Sequence, residues 1–136
     1  MKKIFKYDDF EIEYKKPLGN GGFGEVYKAK EKSTGKEYAI KRIPNNKIKE
    51  EEINDMAFMN KCENSIKYYG YFKEDNLIYL IMELCDYSLA QKIKEKNLNI
   101  KEIKELLEQL NNVFKIMHKK SIIHRDIKPE NILIKN

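Results

Sequence analysis

Arginine is scarce in this sequence of 136 residues, in which lysine supplies nearly all of the positive charge. Lys and Arg together number 27 against 22 Asp and Glu, but only Arg42 and Arg125 are arginines. Planar arginine forks favour base recognition and bidentate phosphate recognition. The lysines are interleaved with glutamates, as they are on solvated helix faces. Despite the net charge of +5, we therefore expect no nucleic-acid partner.

Cysteine and long apolar runs are also scarce. Cys62 and Cys85 are far apart and too few for a disulfide framework, which favours a reducing, intracellular setting. Residues 1–6 have a basic start but lack the apolar core of a signal peptide. The longest apolar run, Leu77 to Met82, has six residues, whereas a helix needs about 20 to cross a bilayer. We expect a cytoplasmic chain without a membrane partner.

Glycine is absent after Gly70, and four of the six glycines lie between positions 19 and 24. Period-two alternation between turn residues predicts short antiparallel strands in this glycine-containing part of the chain. The predicted fold class is α+β, with a small lobe of five antiparallel strands and one helix, followed by further helices. The predicted strands are residues 10–14, 25–30, 37–43, 66–72 and 77–82, and the helix is about 46–60.

The later part of the chain has the 3.6-residue period of helices. Ser88 with Gln91 has the form of a capping box, and Asn99 with Glu102 resembles the same device at the start of a long helix. That helix carries a wide apolar stripe that needs a cover. The stripe consists of Ile103, Leu106, Leu107, Leu110, Val113, Phe114 and Met117.

The glycine-rich segment fits the phosphate-binding pattern G-x-G-x-x-G-x-V. Glycines let backbone N–H groups approach phosphate oxygens that a Cβ would keep at a distance. A dinucleotide-binding turn would need a helix after the glycines, whereas residues 25–29 and the Gly35 turn predict a strand, a turn and a second strand. We expect a hairpin over nucleotide phosphates; the alternative is a hairpin without a ligand.

A lysine lies on a predicted strand, with a possible carboxylate partner on the following helix. Period-two geometry puts Ala39 and Lys41 on one face, and Tyr38 and Ile40 on the other. Of the three glutamates at 50–52, only Glu52 shares a helical stripe with the apolar residues Ile48, Met56 and Met59. We expect Glu52 to pair with Lys41, because a carboxylate on an apolar face needs a cation. The other two glutamates suit the positive end of a helix dipole.

Residues 78–85 follow the pattern of a buried strand that ends at a polar residue, Glu83. Taken alone, this pattern fits a plain core strand equally well. Near the end of the chain, His124-Arg125-Asp126 is followed by Lys128 and Asn131. This is the H-R-D-x-x-x-x-N loop, and the glycine loop, the lysine and its helix precede it in order.

Together these motifs resemble the eukaryotic protein kinase family over residues 10–136. A lysine two positions after the loop aspartate Asp126, here Lys128, is typical of the serine/threonine members of that family. The short segment from Lys41 to Glu52 and the Tyr68-Tyr69-Gly70 run are similar to the kinases that act on the alpha subunit of translation initiation factor two. The resemblance implies a small lobe at about 10–83, and a hinge with the start of a large lobe at about 84–136.

The resemblance also implies the substrates and the roles of the residues. ATP and Mg²⁺ would be the cofactors, and a protein with a Ser or Thr hydroxyl would be the partner. Asp126 would orient that hydroxyl, Lys128 would meet the transferring phosphoryl charge, and Asn131 would bind magnesium, while Lys41 and Glu52 complete the catalytic set. Met82 would be the gatekeeper of the adenine pocket. The implied nucleotide-binding residues are Leu18, Gly19, Asn20, Gly21, Gly22, Phe23, Gly24, Glu25, Val26, Ala39, Lys41, Met82, Glu83, Cys85 and Leu133.

The D-F-G aspartate of the family does not follow Asn136 in this sequence. We therefore expect the N-terminal portion of an active serine/threonine kinase, with no phosphotransfer by the 136 residues alone. The alternative is a short protein that binds nucleotide or a kinase partner without phosphotransfer. A third hypothesis, an unrelated interaction domain with chance motifs, has four ordered matches against it.

Overall fold

The structure is a computed structural model that describes residues 3–21, 24–95, 98–122 and 132–135, with the side chains of 20 and 21 left aside. The chain forms two compact units. The first contains Met1–Phe58 and Lys67–Leu84, and the second contains Met59–Ile66 and Cys85–Asn136. Strands dominate the first unit and helices the second, so the α+β prediction is confirmed.

The first unit contains one antiparallel sheet. Its strand order is β1-β3-β4-β6-β5, and a short strand, β2, pairs with β3 beyond the end of β1. The five predicted strands are confirmed to within a few residues, and β2 is an addition. The strands are β1 (Phe10–Ile12), β2 (Gly19–Gly21), β3 (Gly24–Glu31), β4 (Glu37–Pro44), β5 (Tyr68–Glu74) and β6 (Leu77–Glu83).

Two tight turns fix the register of these strands. Between β3 and β4, Gly35 has a φ of 74°, a conformation that glycine adopts without a Cβ penalty. Between β5 and β6, Asp75 and Asn76 have φ values of 49° and 63°. Two successive positive φ values are those of a type I′ hairpin turn, which Asp and Asn tolerate. Asp75 and Asn76 therefore form the tight turn that joins β5 to β6.

Each face of the sheet carries its own apolar cluster. One cluster joins Ala29, Ile40 and Ile81 of the strands to Phe5 and Phe10 near the N-terminus. On the opposite face, a second cluster is covered by helix α1 (Glu50–Met59). Its members are Ile43, Tyr68, Ile78 and Leu80, with Ile48, Ile53 and Met56 packed against them. Alternation along β4 thus divides its side chains between two layers.

Helix α1 begins four residues later than predicted. The chain leaves β4 at Pro44 and forms a 3₁₀ turn at Asn45–Lys47, and Ile48 is extended with φ −129° and ψ 137°. The amide of Asn45 donates to the carbonyl oxygen of Asn76 at 2.9 Å. This bond ties the start of the connection to the β5–β6 turn, so the α-helix can begin only further along the chain.

The second unit contains β7 (Tyr87–Ser88), α2 (Leu89–Lys94), α3 (Ile100–Lys120) and β8 (Leu133–Ile134). Strand β7 pairs antiparallel with β8. Ser88 and Gln91 form the predicted capping box at α2, and the side chain of Asn99 accepts from the Glu102 amide at the start of α3. Both predicted N-caps are confirmed.

The apolar stripe of α3 is only partly covered. Met117 is buried, whereas Leu107 is 58% exposed and Ile103 and Phe114 are also exposed. This agrees with the expectation that the stripe needs a further cover. No helix in the described part of the chain is long and apolar enough to cross a membrane.

Candidate functional site

Four of the side chains predicted to surround a nucleotide lie on one face of the sheet. Val26 of β3 is directly opposite Lys41 of β4, and Ala39 is directly opposite Met82 of β6. Directly opposed residues of an antiparallel pair point to the same face, and so do residues two apart. Ile40 is fully buried in the cluster on the other face. The predicted separation of Ala39 and Lys41 from Tyr38 and Ile40 is therefore confirmed.

The glycine-rich segment forms a β-hairpin, as predicted. Strand β2 runs antiparallel to β3, with Gly19 opposite Val26 and Gly21 opposite Gly24. The amide of Leu18 donates to the carbonyl oxygen of Val26 at 2.7 Å, which closes the base of the hairpin. The two residues at its tip, 22 and 23, lie outside the described residues.

Two glycines of the hairpin have different surroundings. A Cβ on Gly19 would meet no atom within 4 Å, so the space beside its backbone is open. A Cβ on Gly24 would overlap the carbonyl oxygen of Arg42 and would lie 3.0 Å from Cγ1 of Ile43. Gly24 is therefore required by the close approach of strand β4, whatever its contact with a ligand. Of these two glycines, Gly19 is the one that leaves open space that a ligand could fill.

Glu52, predicted to pair with Lys41, lies in the first turn of α1. Its side chain is exposed, while Ile53 and Met56 pack against the sheet. Because Ile48 precedes the helix, it does not contribute to the helical phase. At about 100° per residue, Glu52 lies about 40° from Met56 and about 20° from Met59 around the axis, so it shares their stripe at the exposed start of the helix. The pairing of Glu52 with Lys41 stays a prediction.

The predicted hinge begins at the end of β6. Met82 is 8% exposed and lies between the β4 and β5 strands, opposite Ala39 and Tyr68. The amide of Glu83 donates to the carbonyl oxygen of Lys67 at 2.9 Å. Cys85 belongs to the second unit and is half-buried.

The opposite face of the same strands carries a polar cluster that sequence reasoning missed. Arg42 donates from Nη2 to Glu25 Oε2 and to the Tyr27 hydroxyl, each at 3.1 Å. Tyr14 lies beside this cluster, with its ring 5.0 Å from the ring of Tyr27. Burial, followed by hydrogen bonds with Tyr7 and Tyr79, raises the pKa of Tyr14 well above its usual range. The side chain of Glu25 therefore points away from the face that carries Lys41.

The remaining predicted residues belong to the second unit or are not described. Leu133 lies on β8, opposite Ser88, and is 47% exposed. Asp126, Lys128 and Asn131 lie outside the described residues. In the described ranges, no group of three or more His, Cys, Asp or Glu side chains could hold a metal ion.

Comparison with known proteins identifies the family. The model of the protein kinase domain matches residues 12–136 of the chain. The chain belongs to the protein kinase family. Its relatives are serine/threonine kinases, and the antiparallel sheet with α1 has the architecture of the small lobe of that family.

Three relatives illustrate the similarity of this protein kinase to known ones. An Aurora kinase of Schizosaccharomyces pombe is 36% identical over 132 residues, which cover 90% of this chain and 37% of that protein. Aurora kinase B of Mus musculus is 36% identical over 143 residues, which cover 98% of this chain and 41% of that protein. The serine/threonine-protein kinase pakG of Dictyostelium discoideum is 39% identical over 124 residues, which cover 86% of this chain and 10% of that protein. The kinase chain thus spans about two fifths of the length of the two Aurora kinases.

Proposed function

We propose that this chain carries the nucleotide site and the catalytic loop of an ATP-dependent protein serine/threonine kinase, which transfers the γ-phosphoryl group of ATP to a protein hydroxyl. The observation that carries the proposal is the common face of the sheet. A glycine hairpin, a lysine and small apolar side chains meet there on neighbouring strands. Each of these groups suits a different part of ATP.

The residues present fit a nucleotide. Val26 and Ala39 offer small apolar surface to one flat face of an adenine ring. The open space beside Gly19 allows backbone N–H groups to approach phosphate oxygens. Lys41 lies next to Val26 across the strand pair and supplies a positive charge near the hairpin. Bound ATP, with Mg²⁺, supplies the activated phosphoryl group.

The other residues act on the protein substrate and on the transferred group. We assign Asp126 to orient the substrate hydroxyl and accept its proton, Lys128 to balance the phosphoryl charge, and Asn131 to bind Mg²⁺. Glu52 is assigned to hold Lys41.

The proposal includes the lobe division and the cell compartment. Residues 10–83 form the small lobe, and residues 84–136 form the hinge and the start of the large lobe. The division of the chain into two compact units after Leu84 supports this boundary. Within the large-lobe segment, Cys85 and Leu133 are assigned to the adenine pocket. We place the protein and its substrates in the cytoplasm.

Calorimetric titration of the chain with ATP and Mg²⁺ tests the nucleotide site. Replacement Lys41→Met should weaken ATP binding about tenfold or more, because it removes a charge-assisted contact to phosphate. The matched control is Lys73→Met, which changes an exposed lysine on β5 at the far edge of the same sheet. Equal ATP affinity in all three proteins would contradict the proposed site.

A second experiment separates the kinase from a protein that binds nucleotide without phosphotransfer. The DNA that follows the codon of Asn136 can be read directly. An open frame that encodes D-F-G within about a dozen residues would support the kinase, since that aspartate binds the metal ion. A stop codon would favour the binding function. In a polypeptide that contains this segment, Asp126→Asn should abolish phosphorylation of a protein substrate.

A further inference from the structure

From the polar cluster on the face of the sheet opposite Lys41, we infer that Arg42 is a positioning residue of the nucleotide site. It holds Glu25, and with it the glycine hairpin, against the strand that carries Lys41. The inference rests on the proposed function, because the hairpin and Lys41 are assigned there to the phosphates. Neither Arg42 nor Glu25 needs to touch the nucleotide, since both side chains point to the opposite face.

The contacts of Arg42 form a closed triangle. Glu25 is directly opposite Arg42 in the β3–β4 register. The Arg42 Nη2 group lies 3.1 Å from Glu25 Oε2 and 3.1 Å from the Tyr27 hydroxyl, which itself donates to the same Glu25 oxygen. A single guanidinium nitrogen thus fixes two side chains of β3. The hydrogen bond between those two side chains fixes them to each other.

Two aromatic rings hold the guanidinium in place. Its Cζ atom lies 5.3 Å from the ring centroid of Tyr14 and 5.2 Å from that of Tyr27. The side chains of Arg42 and Glu25 are 30% and 47% exposed, so their ion pair alone would contribute little. A planar guanidinium that stacks on rings and also donates hydrogen bonds has a defined orientation. A lysine at this position would keep the charge and lose that orientation.

The cluster lies where the hairpin leaves the sheet. The pair of Glu25 with Arg42 is the last of the β3–β4 register on the hairpin side. Glu25 adjoins Gly24 in the hairpin, and Arg42 adjoins Lys41. The cluster therefore fixes the spacing between the two backbone segments that are assigned to the phosphates. The effect on a nucleotide passes through the backbone of residues 24–26.

Paired titrations of the 136-residue chain with ATP and with adenosine test the inference. Adenosine lacks phosphates, so displacement of the hairpin should lower the affinity for ATP and leave the affinity for adenosine unchanged. Replacement Arg42→Lys should weaken ATP binding roughly three- to tenfold, in line with the loss of a stacked, hydrogen-bonded cation, and should leave adenosine affinity unchanged. The double variant with Glu25→Gln should lose no more ATP affinity than the weaker-binding of the two single variants, because the two groups act as one unit.

The matched control is Glu37→Gln. It removes the ion pair between Lys28 and Glu37, 2.9 Å long, which joins the same two strands near their other turn. This variant should bind ATP and adenosine like the wild type. Equal loss of both ligands in Arg42→Lys, together with a lower free energy of unfolding, would show a merely structural role and overturn the inference.

A measurement without nucleotide completes the test. The amide of Leu18 is hydrogen-bonded to Val26 at the base of the hairpin, and its hydrogen exchange should become faster in Arg42→Lys and stay unchanged in Glu37→Gln. Unchanged exchange together with unchanged ATP affinity in Arg42→Lys would refute the positioning role and leave the proposed function intact. Failure of the wild-type chain to bind ATP would overturn the proposed function and this inference with it.

Discussion

Replacement of Gly24 by alanine should destabilise the sheet, whereas the same change at Gly19 should not. The new Cβ at position 24 would lie 3.0 Å from Ile43 Cγ1 and 3.2 Å from the Arg42 carbonyl carbon, and closer still to the carbonyl oxygen. Two of these atoms belong to the backbone of β4, so the strands themselves must separate. Overpacking of this kind costs about 1–3 kcal/mol.

Gly19 provides the matched control. No atom lies within 4 Å of its added Cβ, and its φ lies outside the left-handed region. Gly19→Ala should therefore be neutral or should stabilise the chain by about 0.4–1 kcal/mol through the lower entropy of the unfolded state. It should nevertheless weaken ATP binding, because the methyl group enters the space assigned to phosphate.

Urea unfolding followed by circular dichroism measures the difference between the two variants. With a slope of about 1.5 kcal/mol per M, a loss of about 2 kcal/mol lowers the midpoint of Gly24→Ala by roughly 1.3 M. Gly19→Ala should have the midpoint of the wild type or a slightly higher one. Coincident midpoints for the two alanine variants would refute the close packing of the hairpin on β4.

Two further predictions concern stability. The buried carboxylate of Glu31 binds the ammonium group of Lys3 at 2.5 Å and accepts from the Thr34 hydroxyl at 2.6 Å, and these contacts, in that order, hold the pKa of Glu31 below its ordinary value near 4.5. The stabilisation is therefore fully present above that ordinary pKa and is lost as the pH falls through the lowered pKa. The unfolding free energy of Glu31→Gln should decline less steeply than that of the wild type below about pH 5. An equally steep decline in both proteins would contradict the buried pair. Ile81 is fully buried between β4 and β5, so Ile81→Ala should cost about 2–5 kcal/mol in urea unfolding. Its control, Leu107→Ala on the exposed stripe of α3, should change stability by less than about 0.5 kcal/mol, and similar losses in the two variants would be inconsistent with the core described.

The features that follow from local chemistry could be predicted from the sequence. Alternation along β4 gave the correct faces for Ala39 and Lys41, since a strand has a fixed period of two. Ser88 and Asn99 were correct as N-caps, because a side-chain oxygen at that position satisfies an amide of the first turn. The α+β class followed from the change of period along the chain.

The features that depend on register or on a helix start could not be predicted. The later start of α1 depends on the hydrogen bond from Asn45 to Asn76, which joins segments far apart in the sequence. Arg42 was overlooked as a site residue because its role depends on the partner opposite it. Period-two geometry, once Val26 and Lys41 are known to be opposed, does place Glu25 and Arg42 together on the other face.

Methyl NMR spectra recorded during an ATP titration test most directly whether one face of the β3–β4 pair binds ATP. Val26 and Ala39 lie on the proposed nucleotide face, whereas Ala29 and Ile40 of the same two strands lie in the opposite cluster. ATP binding at this face should produce large shifts for the methyl groups of Val26 and Ala39 and should leave those of Ala29 and Ile40 nearly unchanged. Shifts of equal size on both faces, or none at Val26 and Ala39 under saturating ATP, would contradict it.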